Sequence, residues 1–127
     1  MTRQFAFLAA AILCSALPGG AAAEEPFRNF NCKNAKVQME LNYCADQDFK
    51  SADRKLNALY RKLLDGDDPK EKALLKVAER DWIAYRDSEC ALETAGSEGG
   101  SIAPMEYSVC LTEKTGARIK ELQRQGD

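Results

Sequence analysis

The chain has 127 residues, with 18 Lys and Arg against 20 Asp and Glu, and no histidine. So mild a balance, with no basic stripe, argues against a nucleic-acid partner. The missing imidazole also excludes a Ser-His-Asp triad and a histidine general base.

The first residues read as an export signal. Arg3 supplies a positive n-region, Phe5 to Leu17 is apolar, and the helix breakers Pro18, Gly19 and Gly20 follow. Ala21-Ala22-Ala23 then offers an A-x-A cleavage site, directly before Glu24 and Glu25. The apolar run falls short of the roughly 20 residues a bilayer span requires. Leu13 before Cys14 does not make a lipobox. Cleavage after Ala23 is therefore favoured over a retained span or a lipid anchor. The expected organisation is a signal peptide, 1–23, and one small domain, 24–127, with no membrane span after cleavage and a periplasmic or secreted location.

Removing Cys14 leaves Cys32, Cys44, Cys90 and Cys110. An even number in a small exported chain reads as two disulfides in an oxidising compartment. A zinc site is disfavoured, because no C-x-x-C pair and no histidine are present.

After an extended lead-in over 24–31, the spacing of Val37, Leu41, Cys44 and Ala45 predicts a short helix. A second helix is predicted from about Asp48 to Leu64, with Phe49, Ala52, Leu56, Leu59, Tyr60 and Leu63 on one face and Gly66 behind its end. Asp68-Pro69-Lys70-Glu71 is a strong helix start, with Asp68 as N-cap and Pro69 at N1. That helix runs to about Ala95 and places Leu75, Ala78, Trp82, Tyr85 and Glu89 on a stripe. Gly96 to Ser101 forms a loop, and Pro104 opens a last helix carrying Tyr107, Cys110, Leu111, Ile119 and Leu122. No period-two alternation persists long enough for a sheet. The fold class is all-α: a small up-and-down bundle of three main helices plus a short leading one.

Three cysteine pairings are possible on paper. Cys90 lies about six residues before the Gly-rich loop and Cys110 about six residues into the following helix, at similar heights in an antiparallel hairpin, so they form the first-choice pair. Cys32–Cys44 follows by elimination, and requires residues 32–36 to fold back along the short helix. A continuous helix between them would part the sulfurs by about 18 Å.

Catalytic chemistry finds little support. With the cysteines paired no thiolate remains, and the acids Asp46, Asp48, Asp65, Asp67 and Asp68 read as capping and solvation before they read as a glycosidase pair. Neither a calcium-binding loop nor a phosphate cradle is spelled out, and no small-molecule cofactor is implied. Glu40, Asp53, Arg86, Asp87 and Arg118 flank the apolar stripes. They are read first as inter-helix ion pairs that set register, with a charged recognition patch as the alternative.

The run Asn29-Phe30-Asn31-Cys32, then Ala35, Glu40, Cys44, Asp53, Leu56 and Tyr60, resembles the opening of the lysozyme inhibitor LprI-like family. Trp82, Arg86, Asp87 and Cys90, the Gly99-Gly100-Ser101 loop, and the ending Cys110-Leu111, Arg118-Ile119, Leu122 extend that resemblance over nearly the whole domain. It implies an envelope or secreted helical domain that binds and inhibits lysozyme or a related cationic cell-wall hydrolase. The motif residues identify the fold without marking an inhibitory site. Glu79 stands where a glutamine is common in the family, a departure expected to matter little on a helix surface. The candidate partner-binding loop is Gly96 to Ser101, with Ser97, Glu98 and Ser101 as hydrogen-bonding groups beside Gly99 and Gly100. A non-inhibitory accessory module of the cell envelope is the alternative.

Overall fold

Val37 sits in extended backbone (φ −109°, ψ 154°), and the helix that follows it starts on an acid three residues in. Glu40 reaches back so that one carboxylate oxygen accepts from the backbone N–H groups of Lys36 (2.8 Å) and Val37 (3.2 Å). Valine has no side-chain acceptor to return the favour, so this is the acidic half of a capping box. These two backbone donors hold the Glu40 carboxyl below its ordinary value of 4.5. A depressed folded value means the contribution to stability is present above pH 4.5 and is lost as pH falls through the lower folded value. In urea melts across this acid range, Glu40→Ala should trail the parent at neutral pH and converge with it in acid. A gap that stays constant would remove the charge from this account.

In the computed structural model, residues 27, 29–66 and 68–125 are described; the expected signal peptide, 1–23, lies outside them. Three helices make up nearly all of this: α1, Gln38–Leu64; α2, Pro69–Glu93; and α3, Ala103–Gln125. One 3-10 turn, Cys32–Asn34, precedes α1, and another, Ala95–Ser97, lies between α2 and α3. Among the described residues there is no strand. The fold class is thus the expected all-α bundle. One boundary differs, since the short leading helix and the second helix form a single 27-residue α1. Asp46-Gln47-Asp48 contains neither Gly nor Pro, and Asp46 pairs with Lys50 one turn on (2.9 Å), so the junction propagates as helix. α2 begins as expected, with the Asp68 carboxylate accepting from the N–H of Lys70 (2.7 Å) and Glu71 (3.2 Å).

The helices run up, down and up. Gln38 contacts Met105, and the Asn42 side chain donates to the Ser101 carbonyl (2.9 Å), so α1 and α3 start at the same end and lie parallel. These two pack most closely. Their shared seam buries Ala45 and Leu56 from α1, and Ser108, Leu111, Thr115 and Leu122 from α3. The three-four spacing of the α3 set is that of a coiled-coil seam, and its small residues permit close approach. α2 stands farther off, and long side chains fill the gap. Fully apolar burial is sparse: beyond Ala45, Leu56, Leu111 and Leu122, only Cys90 and Cys110 complete it among the described residues.

Both disulfides pair as expected. Cys90–Cys110 has a Cα–Cα distance of 5.7 Å and Cys32–Cys44 one of 5.6 Å, ordinary spans for the bond. The second is reached because the chain turns through 3-10 geometry at Cys32–Asn34 and then extends over Ala35 to Val37. That fold-back also stacks Phe27 on Tyr43 (4.7 Å between centroids), with Phe30 edge-on to Tyr43.

Candidate functional site

The α2–α3 hairpin end is where unusual composition and rigid geometry coincide. From Asp87 to Glu113 the chain carries Asp87, Glu89, Glu93, Glu98, Glu106 and Glu113 and not one Lys or Arg. The hairpin folds this stretch onto itself around the buried Cys90–Cys110 bridge. Glu93, Glu98 and Glu113 are exposed there, and Glu89 and Glu106 partly so. Two bases border it: Arg86, which pairs with Asp87 at 2.7 Å, and Lys114, whose ammonium meets Glu93 at 2.6 Å; the Glu93 carboxylate raises the lysine pKa above its ordinary value. Two shallow grooves flank the end. One, about 420 Å³, includes Ala91, Glu98, Gly99, Pro104 and Tyr107 in its wall, and the other, about 370 Å³, is rimmed by Glu93, Glu106 and Glu113 around Val109.

The loop between the helices is wound tight. Ser97 donates its hydroxyl to the Thr94 carbonyl (3.0 Å), and Gly100 N–H donates to the Ser97 carbonyl (2.9 Å). Gly99 takes φ +78°, the left-handed region a side chain disfavours. At Gly100 a Cβ would come within 3.0 Å of the Ser97 carbonyl oxygen. Ser101 is tied to α1 through Asn42. The segment is thus held by its own hydrogen bonds and tied to α1 at Ser101 alone, with Glu98, Gly99, Gly100 and Ser101 exposed.

The charged residues flanking the apolar stripes occupy a second, interior place. Arg86 is 6 % exposed. Its guanidinium lies between the Phe49 ring of α1 (5.1 Å) and the Trp82 ring of α2 (5.2 Å), and Arg118 of α3 covers the same indole at 5.6 Å. Arg86 pairs with Asp87 (2.7 Å) and Asp53 (3.7 Å) and donates to the buried Thr115 hydroxyl (3.5 Å). Arg118 pairs with Glu79 (3.0 Å) and Glu121 (3.2 Å). Two of the five flanking residues thus differ from a simple inter-helix pairing. Glu40 caps its own helix, and Asp87 serves its sequence neighbour. Tyr60 is half-buried on α1.

Glu79 is not a surface residue. It is 5 % exposed, and one of its oxygens is buried without a hydrogen-bond partner among the described residues. Glu79 thus places a carboxyl group in the interior, where Arg118 pairs with it, and does not lie on a helix surface as expected. Among the described residues there is no cluster of His, Cys, Asp or Glu arranged to hold a metal, and no helix is long and apolar enough to cross a membrane.

A rigid, disulfide-stapled helical domain with an acidic hairpin end is the class of molecule this geometry defines. The chain belongs to the lysozyme inhibitor LprI family, whose model matches residues 31–122. It is also 39% identical over 125 residues, covering 88% of this chain and 87% of the relative, to the uncharacterized protein R02472 of Rhizobium meliloti (strain 1021). No solved structure matches the chain.

Proposed function

We propose that this protein is exported and acts by binding a cationic cell-wall hydrolase of the lysozyme type, which it inhibits without performing catalysis itself. The observation that carries this reading is the hairpin end: six acids and no base between Asp87 and Glu113, held rigid by Cys90–Cys110. An acidic face steers and selects a basic partner, and a pre-ordered one loses less entropy on binding. The two disulfides and the leader-like residues 1–23 fit an oxidising compartment outside the cytoplasm. Glu98 and Ser101 are the loop groups best placed to contact the partner, with Glu93, Glu106 and Glu113 extending the face.

The test is lysis of bacterial cell walls by lysozymes of different classes, with and without the purified protein. Slowed lysis that weakens with added salt is expected, because exposed charges are screened. Undiminished lysis by every class at large molar excess would overturn inhibition.

A further inference from the structure

At the end of the bundle opposite the hairpin, the fold gathers bases that the sequence disperses. The last three turns of α1 carry Arg54, Lys55, Arg61 and Lys62 with no acid among them. The first three turns of α2 add Lys70, Lys72 and Lys76, and the last turns of α3 add Lys120 and Arg124. All nine but Lys72 are exposed, and none makes an ion pair among the described residues. Six acids stand against them. Asp65, Asp67 and Asp68 fall between α1 and α2 in the chain, with Asp68 capping α2, and Glu71 follows. Glu79 and Glu121 both pair with Arg118, a tenth base. This end is therefore positive, as the hairpin end is negative.

The helix dipole accounts for only part of this. Bases in the last turns of α1 and α3 complement negative C-terminal ends. Lys70, Lys72 and Lys76 sit at the start of α2, where the dipole favours acids, so they do not serve the stability of their own helix. The same helix ends enclose an apolar groove of about 390 Å³, walled by Leu63, Leu74, Leu75 and Ala78, with Glu71 and Arg118 as its charged groups. Gln125 closes it on the α3 side. Arg61 and Lys62 precede Leu63, Lys70 stands one turn before Leu74, and Arg124 precedes Gln125, so bases border the groove from all three helices. Leu74 is 60 % exposed beside it.

We infer that this end docks on the surface of an anionic phospholipid bilayer, its bases at the level of the lipid phosphates and Leu74 and the groove against the acyl chains. A soluble polyanion would engage the bases alone. A lipid surface offers negative headgroups and apolar chains together, which is what bases around an exposed leucine and an apolar groove complement. The acids of the hairpin end do not oppose the contact. With 27 residues, α1 holds the two ends about 40 Å apart, several times the screening length of about 8 Å at physiological salt. Docked in this way, the molecule points its acidic end away from the membrane and leaves it free. The inference does not rest on hydrolase binding, and its test measures no lysis.

Co-sedimentation with vesicles tests it, comparing equal parts of phosphatidylglycerol and phosphatidylcholine with phosphatidylcholine alone. Tighter binding to the anionic vesicles is expected, with the excess fading as salt rises. Lys62→Gln, Lys70→Gln and Arg124→Gln together should weaken anionic binding about hundredfold, at roughly fivefold per base near such a surface. The substitutions are made in the same chain, so residues 1–23 contribute equally to every comparison. Leu74→Ser should weaken binding about tenfold through lost apolar contact. All four sites are exposed, and circular dichroism should be unchanged. No preference for anionic vesicles, or a preference indifferent to the triple substitution, overturns the basic end as a docking surface. Binding indifferent to Leu74→Ser overturns lipid as the partner and leaves a soluble polyanion held by charge alone.

Discussion

Arg86→Ala is expected to lower stability by about 3 kcal/mol in urea melts, close to the level at which a small domain fails to stay folded. Two losses combine. The arginine stem and guanidinium fill the layer between Phe49 and Trp82, so truncation opens a cavity where α2 stands off from α1 and α3. It also removes two ring contacts and the only donor to the buried Thr115 hydroxyl given by α2. The acids left behind are less costly: Asp53 and Asp87 side chains are 40 % and 47 % exposed and can hydrate. It follows that Arg86→Met, which keeps the volume and drops the charge, should cost less than half as much. Equal losses for alanine and methionine would mean the ion pairs, and not the packing, dominate.

Removing the Cys90–Cys110 bridge by the double substitution to serine should cost about 3 kcal/mol. Its sequence separation is 20 residues against 12 for Cys32–Cys44, which favours the longer loop by only about half a kcal/mol in chain entropy. Burial separates the two bridges more clearly. Cys90 is 0 % exposed and Cys110 7 %, whereas Cys32 lies exposed in its 3-10 turn. Mild reductant should therefore open Cys32–Cys44 first, leaving the helical bundle intact and freeing the Phe27–Phe30–Tyr43 cluster. Loss of Cys90–Cys110 should instead raise hydrogen exchange across Thr94 to Ala103, where the hairpin depends on it. Mass-resolved alkylation orders the two reductions; Cys90–Cys110 opening first would contradict the burial argument.

Much of this fold is legible in the sequence because its signals are local. Asp68-Pro69 marks a helix start that needs no tertiary help, and Cys90 and Cys110 stand on either side of the Gly-rich loop within a few turns of it, so antiparallel helices bring them within bonding reach. What is not legible depends on three dimensions. The fused α1 follows from an ion pair across Asp46 and Lys50 that competes with an apparent break in the apolar rhythm. Glu79 looks like a surface glutamate until α3 places Arg118 over it. The base-free stretch from Asp87 to Glu113 is plain in the sequence, yet it gains meaning only when the hairpin gathers those acids around one disulfide. The loop Ser97 to Ser101 looks free by composition, and the tie of its Ser101 carbonyl to Asn42 is a contact across 59 positions that no local pattern announces.

Hydrogen-exchange mapping of the protein with and without the cationic lysozyme proposed as its partner, at low and high salt, tests the acidic hairpin as the binding face. Protection should gather on the hairpin end between residues 87 and 113 and fade as salt rises. Protection confined instead to the lysine-bearing end around Arg61, Lys70 and Lys76, or binding indifferent to salt, would contradict the assignment of the acidic hairpin as the partner-binding face.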